Sequence, residues 1–207
     1  MAGINIDETS LVSAACRGDI DAFNQLIDQY QDGVFNTAFR MLGSYDAAED
    51  AAQKAFISAY RSIRSFRGGS FRSWITRTVI NACYDELRRQ KRRPVISIDA
   101  REDEDDGVNA EYWLSDPSPS PSQLAEMVEL QKAVQHCLQE LPSDFRLVAV
   151  LADVEEFNYD EISRITSIPM GTVKSRLARS RQKLRDCLAG FWELLPASFR
   201  QRYEEAG

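Results

Sequence analysis

The residues best equipped for chemistry in this chain are a run of cations on one short segment. Lys174, Arg176, Arg179, Arg181, Lys183 and Arg185 lie between or beside Val173, Leu177, Leu184 and Leu188, which recur at the spacing of a helical apolar stripe. With Val173 and Leu177 toward a core, Lys174, Ser175, Ala178 and Arg179 project from the opposite side. Small Ala178 between long cations lets such a helix sit close to base edges in a major groove, where Arg or Lys bonds guanine and Ser bonds several bases. The segment before it, 159–166, places Ile162 and Ile165 on one face and is broken by Ser167, Ile168 and Pro169. Proline lacks an amide donor and moves its predecessor out of helical geometry. Two short helices about a three-residue turn, the second dense in Arg and Lys, form a helix-turn-helix pattern. A solvated amphipathic helix is the plainer reading. The turn, the proline and the basic second helix occurring together favour a DNA-reading element.

Covalent chemistry finds little support. The single histidine, His136, falls on a partly apolar helical pattern, where packing or solvent exposure is the ordinary role. No HExxH, GxSxG or GxxxxGK[ST] motif occurs, and Gly68-Gly69 is too little glycine for a nucleotide cradle. Set on a calcium loop with Gly107 as the turn glycine, Glu102, Glu104 and Asp106 take ligand positions, but Trp113 stands where the closing Glu belongs. The expectation is no enzyme, no metal and no cofactor. Cys16, Cys83, Cys137 and Cys187 are scattered without a CxxC pair, which predicts buried free thiols in a reducing cytoplasm.

Composition sets the frame for these elements. With 43% hydrophobic and 28% charged residues, packed cores are within reach. No apolar run approaches the ~18 residues of a membrane span. The start, MAGINIDETS, lacks the basic and apolar regions of a secretory signal. A cytoplasmic protein without direct membrane insertion is expected. The net charge of −7 hides a sharp partition: residues 61–93 hold ten Arg/Lys against two acids, 159–187 hold seven against three, and 94–121 hold one against eight. Two basic patches flank an acidic strap, so overall acidity does not argue against nucleic acid.

In chain order, 7–18 predicts a short helix stopped at Gly18, with Asp19 capping the next. Phe23, Leu26, Ile27, Tyr30, Val34, Phe35, Ala38 and Leu42 then recur helically as far as Gly43. Ser44 and Asp46 offer a cap for a helix to about Arg64, whose Ala48, Ala51, Ala52, Ala55 and Ala59 allow a neighbour to approach closely. Residues 66–70 predict a loop. A further helix from Phe71 carries Ile75, Val79 and Ala82, with Trp74 on the same stripe and therefore in the core, and runs into Arg88-Arg89-Gln90-Lys91-Arg92-Arg93 before Pro94. The acidic, then Ser/Pro-rich composition of 94–121 predicts an extended linker. Helical patterns resume from Gln123 to Leu141 and from Asp144 to Asp153. The expectation is an all-α chain of two small helical domains, 1–93 and 122–190, joined by a flexible acidic linker, 94–121, and followed by a tail, 191–207, with no assigned role.

Taken together, these blocks closely resemble bacterial sigma factors of the extracytoplasmic-function group, in order and spacing from about Asp21 to Leu188. DAAEDAAQKAFISAYRSIRSFRGGSFRSWITRTVINACYDELRRQKRR resembles the sigma-2 domain. LPSDFRLVAVLADVEEFNYDEISRITSIPMGTVKSRLARSRQKLR resembles sigma-4. The resemblance implies a factor that binds core RNA polymerase, recognises −35 and −10 promoter elements and promotes opening. Asp46, Glu49, Asp50, Gln53 and Phe56 match the surface that docks on the clamp of the polymerase's largest subunit; the flap of the second-largest subunit is the other implied contact. As helix N-terminal charges, the acids also suit the helix dipole. The loop and helix matching the −10 melting part supply Phe66, Gly69, Ser70 and Phe71 as a pocket for a flipped base. Thr78, Asn81 and Asp85 are polar groups facing that base, and Arg77, Arg88, Arg89 and Arg92 hold phosphates. Lys174, Ser175, Ala178 and Arg179 match the −35 readers, with Thr172, Arg176, Arg181 and Tyr159 as phosphate contacts that position the helix. An anti-sigma factor is the implied regulatory partner. The linker matches the segment that threads toward the active site and RNA exit path, although its sequence carries no matching motif.

Two other classes compete. A stand-alone helix-turn-helix regulator would bind duplex DNA as a dimer without polymerase, but neither a receiver pattern nor a long coiled coil is visible. A recombinase-like enzyme would need a nucleophile set among basic partners, and no serine or tyrosine is distinguished that way.

Overall fold

The computed structural model describes residues 7–92, 121–196 and 200. Every regular element among them is helical, as the periodicities predict. In chain order these are α1 (Glu8–Cys16), α2 (Ile20–Leu42), α3 (Tyr45–Ser62) with a tight turn over Ile63–Ser65, and α4 (Phe71–Arg92). After these come α5 (Pro121–Gln139), α6 (Ser143–Ala149) with a wide π-type turn over Val150–Val154, α7 (Tyr159–Thr166), α8 (Met170–Leu188) and a final tight turn, Ala189–Leu194. Backbone proximity groups α1 to α4 into one compact unit, and α5, α6, α8 and the start of α7 into another. The linker expected over 94–121 lies, apart from Pro121, outside the described residues, as does the acidic run 102–107.

In the first unit α3 packs against both α2 and α4. The contact face is small: Ala48, Ala51, Ala52, Ala55 and Ala59 are all buried, so the backbones of its neighbours come close without side chains intervening. Phe23, Leu26, Val34 and Met41 of α2, with Ile75, Val79, Ile80 and Cys83 of α4, fill the rest. The expected caps are in place. Asp19 Oδ1 accepts from the Ala22 amide at 3.0 Å and Ser44 Oγ from the Ala47 amide at 3.4 Å. Between them Gly43 ends α2 at φ +77°, a left-handed conformation that glycine adopts without steric cost.

In the second unit α8 lies against α6 and α5. Arg146 is buried and spends its guanidinium on the end of α5, donating to Gln139 O at 2.7 Å and Leu141 O at 3.1 Å and to Gln139 Oε1. It thereby satisfies carbonyls that a helix end leaves open.

The cysteine expectation is half corrected. Cys83 is free and buried and Cys16 is free but only half-buried, whereas Cys137 and Cys187 form a disulfide between α5 and α8, with Cα atoms 5.7 Å apart. Fifty residues separate them along the chain, a distance at which spacing carries no pairing information. Only the packing of α5 on α8 brings them together. His136 is exposed and meets Phe191 edge-on with ring centroids 5.8 Å apart, within the packing or solvent-facing role expected of it.

Candidate nucleic-acid interfaces

The helix-turn-helix is built by local chemistry. Asn158 and Glu161 cap α7 reciprocally: the Asn158 amide donates to Glu161 Oε2 at 2.9 Å, and the Glu161 amide to Asn158 Oδ1 at 3.0 Å. This N-x-x-E box sets where α7 begins. The turn passes through Ser167 at φ +58°, and α8 then starts directly after Pro169. Val173 and Leu177 are buried at 0% and 2% exposure, and Lys174, Ser175, Ala178 and Arg179 are exposed on the other side of α8. The facing argued from periodicity is the one observed.

Leu184 and Leu188 are only half-buried. The third buried residue of α8 is Ser180, which the apolar pattern passed over. Its hydroxyl lies 2.9 Å from Phe145 O and 2.8 Å from Arg176 O, joining α8 to α6. A small polar residue one turn beyond Leu177 was the available signal.

The flanking cations are not all equally available. Arg176, half-buried, pairs with Asp144 at 3.0 Å. Arg181 grips Asp153 with two nitrogens, Nη2 at 2.6 Å and Nε at 3.2 Å from carboxylate oxygens. This pairing with Asp153 holds its guanidinium even more firmly protonated than usual. Lys174 lies over the Tyr159 ring, 5.8 Å from its centroid. Thr172 is half-buried at the start of α8. Only Arg179 and Lys174 therefore extend cations from the reading face without an acid against them in the ion pairs described.

In the first unit a cleft of 570 Å³ runs between α3 and α4. Of the residues expected there, Arg77, Thr78, Asn81, Asp85 and Arg89 line it. Arg88 and Arg92 sit outside that lining on the same helix, Arg88 paired with Asp85 at 2.5 Å. Arg89 donates two 2.8 Å hydrogen bonds to Glu86, which is 7% exposed. Those bonds, against the opposing effect of burial, hold the Glu86 carboxyl below the usual carboxylate range. The far wall was not foreseen: Lys54, Ser58 and Ser62 of α3 line the same cleft. Their four-residue spacing on an otherwise alanine-faced helix was legible as a polar stripe.

Two aromatic expectations need correction. Phe71 was expected to line a base pocket, but it is 2% exposed and packs against Tyr30, Phe66 and Trp74 with centroids 5.3 to 6.1 Å apart. It is core, because the first residue of α4 points back onto α2. Trp74, expected in the core, is half-buried and lines the cleft; Ile75 holds the deep position instead. The two roles are exchanged within one helical turn. Phe66 is half-buried against both rings. The loop before them turns through Gly68 and Gly69 at φ +92° and +93°, two consecutive left-handed residues that only glycine takes easily. Ser70 Oγ accepts from the Ser73 amide at 3.1 Å and caps α4.

On α3, Asp46, Glu49, Asp50 and Gln53 are exposed and Phe56 is half-buried. Asp50 meets Lys54 at 3.4 Å. They form a largely acidic surface along the first three turns, opposite the alanines.

Comparison with known proteins agrees with both units. Residues 26–93 match the family model described as Sigma-70 region 2, and residues 131–184 match Sigma-70, region 4. The chain is similar to the ECF RNA polymerase sigma factor SigW of Bacillus subtilis, 36% identical over 170 residues, which span 82% of this chain and 90% of that protein. It is likewise 36% identical over 179 residues to the ECF RNA polymerase sigma-E factor of Escherichia coli, spanning 84% and 90%. Against SigE of Mycolicibacterium smegmatis, also 36% identical, it spans only 62% of the relative's length. Among solved structures, CnrH in complex with the cytosolic domain of CnrY matches with a TM-score of 0.64 at 22% identity, over 89% of this chain and 97% of that one. RpoE of Bartonella quintana, in complex with the anti-sigma factor NepR, matches with a TM-score of 0.60 at 20% identity, over 81% and 96%. These likenesses concern the fold.

Proposed function

We infer how this chain, which belongs to the extracytoplasmic-function group of the sigma-70 family, divides promoter recognition between its two units. As a sigma factor it acts in transcription initiation with RNA polymerase. The observation that carries the finer reading is the two-sided α8: Val173 and Leu177 buried, Lys174, Ser175, Ala178 and Arg179 exposed. In this reading Arg179 and Lys174 bond base edges of the −35 duplex in the major groove. Thr172, Arg176 and Arg181 approach phosphates and set the register.

The α3–α4 cleft takes part of the opened −10 strand. Trp74, partly open to the cleft, offers a ring face on which a base stacks. Arg77, Arg89 and Lys54 neutralise phosphates, and Thr78, Asn81 and Asp85 present polar groups to a base. Phe66, Gly69 and Ser70 form the adjoining loop, while buried Phe71 supports it from beneath. The acidic surface Asp46, Glu49, Asp50, Gln53 and Phe56 is the docking site for the polymerase clamp, with the flap as a second contact of the other unit. An anti-sigma factor, present in the solved RpoE structure, is the proposed regulator here too. The protein makes no covalent bond in this scheme and works in the cytoplasm, where its polymerase and promoter are. Among the described residues no helix is long and apolar enough to cross a membrane.

Run-off transcription with core polymerase on promoter fragments tests the assignment. Specific transcripts are expected with the wild-type chain. Arg179→Ala should lower their yield at limiting protein by about 5- to 150-fold, the worth of one base contact at 1–3 kcal/mol. Asn81→Ala should retain promoter binding but lose opening, seen as lost permanganate reactivity of −10 thymines. Tight duplex binding by the chain alone, with no transcripts and no association with core, would favour the stand-alone regulator.

A further inference from the structure

We propose that Cys137 and Cys187 are a reversible thiol–disulfide modification site that ties the end of the DNA-reading helix to α5 when oxidised and releases it when reduced. The inference rests on the reading that the chain works beside RNA polymerase in a reducing compartment, where protein disulfides are typically transient or redox-sensing.

The bond has a defined mechanical position. Residues 137–187 enclose α6, the π-type turn, α7 and nearly all of α8, so the linkage closes a loop around the whole helix-turn-helix. The reading half of α8 is held by Val173, Leu177 and Ser180, the only residues of that helix that are fully buried. Beyond Ser180 the helix meets the rest of its unit through the solvated Arg181–Asp153 ion pair and through half-buried Leu184, Cys187 and Leu188. Alongside these partly solvated contacts, the last two turns are held by the Cys137 bond and by the His136–Phe191 contact just past it. A covalent tie matters most where the apolar anchor runs out.

The two sulfurs differ in access, which orders the chemistry. Cys137 is 1% exposed and Cys187 is half-buried. The oxidant is a disulfide, either oxidised glutathione or a protein dithiol oxidoreductase in its disulfide form. The Cys187 thiolate attacks one sulfur of it, forming a mixed disulfide and expelling the first thiolate. Cys137, deprotonated, then attacks the Cys187 sulfur and expels the second. Two electrons and two protons pass from the cysteine pair to the oxidant, which leaves as two thiols. Reduction is the same exchange run backward. The other cysteines do not compete. Cys83 is fully buried, and burial pushes its thiol up to about 12. Cys16 lies in the other unit, with its sulfur 3.3 Å from Ile63 O.

The test equilibrates the full-length protein anaerobically in glutathione buffers of graded ratio, traps free thiols by alkylation and counts them by mass, with parallel thermal unfolding. One two-electron transition confined to Cys137 and Cys187 is expected within the glutathione ratios of living cytoplasm. The oxidised form should unfold at least about 8 °C higher in the second unit, as expected for closing a long loop in a small domain. The shift should vanish in Cys137→Ser and in Cys187→Ser, and persist in the Cys16→Ser/Cys83→Ser double variant. A pair that stays oxidised, or stays reduced, at every cellular ratio overturns the proposal, as does an unmoved unfolding temperature. Run-off transcription on the same samples separates the two readings: loss of transcripts in both redox forms would count against the sigma assignment and leave the thiol titration standing.

Discussion

Arg181 is held by Asp153 in the free protein, and this makes its proposed phosphate contact measurable. To reach a phosphate the guanidinium must leave a carboxylate that it meets at 2.6 and 3.2 Å. Both side chains are substantially solvated, at 53% and 35% exposure, so the pair is worth roughly 0.2–1 kcal/mol. That energy opposes promoter binding. Asp153→Asn removes the carboxylate charge and should tighten binding of the holoenzyme to its promoter by about 1.5- to 5-fold. Arg181→Ala should weaken it and lower the slope of log affinity against log salt by about 0.9, the loss of one phosphate neutralised. Fluorescence anisotropy of labelled promoter over a salt series reads both quantities. If Asp153→Asn weakens binding while Arg181→Ala leaves the salt slope unchanged, Arg181 is a brace between α8 and the π-type turn, and the phosphate assignment falls.

Two further outcomes follow from packing and ionisation. Ser180→Ala removes the hydroxyl that joins α8 to part-buried Phe145 O and should lower the stability of the second unit by about 0.5–1.5 kcal/mol, read by urea unfolding; a change under a few tenths would mean that water replaces the hydroxyl. Glu86, held below the usual carboxylate range by Arg89, contributes stability that is fully present above its unfolded pKa of ~4.3 and is lost as pH falls through the lower folded value. Glu86→Gln should therefore flatten the acid limb of the first unit's stability–pH curve below roughly pH 4.3, and an unchanged limb would show that Arg89 does not favour the ionised form.

What the sequence made legible follows from where the determinants are local. Caps at Asp19 and Ser44, the stop at Gly43 and the break at Pro169 act within four residues, and each was readable. The facing of α8 was equally readable, since a period of 3.6 fixes sides once Val173 and Leu177 are assigned to the core. Long-range facts were not. The meeting of Cys137 with Cys187, the seating of Ser180 on α6 and the second wall of the cleft from Lys54, Ser58 and Ser62 depend on which helices become neighbours. The exchanged roles of Phe71 and Trp74 show the limit of a stripe argument at a helix start. There the side chain points back over the preceding turn, so Phe71 reached the core and Trp74 was left at its edge.

The hydroxyls along the α3–α4 cleft have a polarity of their own. Thr78 Oγ1 donates its proton to Trp74 O at 3.0 Å, and Ser62 Oγ donates to Ser58 O at 2.7 Å. With those protons committed to the helix backbone, both oxygens turn only lone pairs toward the cleft. Beside them the Asp85 carboxylate also accepts, whereas Arg77 and Lys54 only donate. In the proposed reading, a strand here would meet acceptors on Thr78 and Ser62, which suit exocyclic amino groups, while Asn81, whose amide both donates and accepts, is the base-facing group able to meet a carbonyl oxygen. By drawing those two protons inward, α3 and α4 each turn a hydroxyl that could donate into one that only accepts.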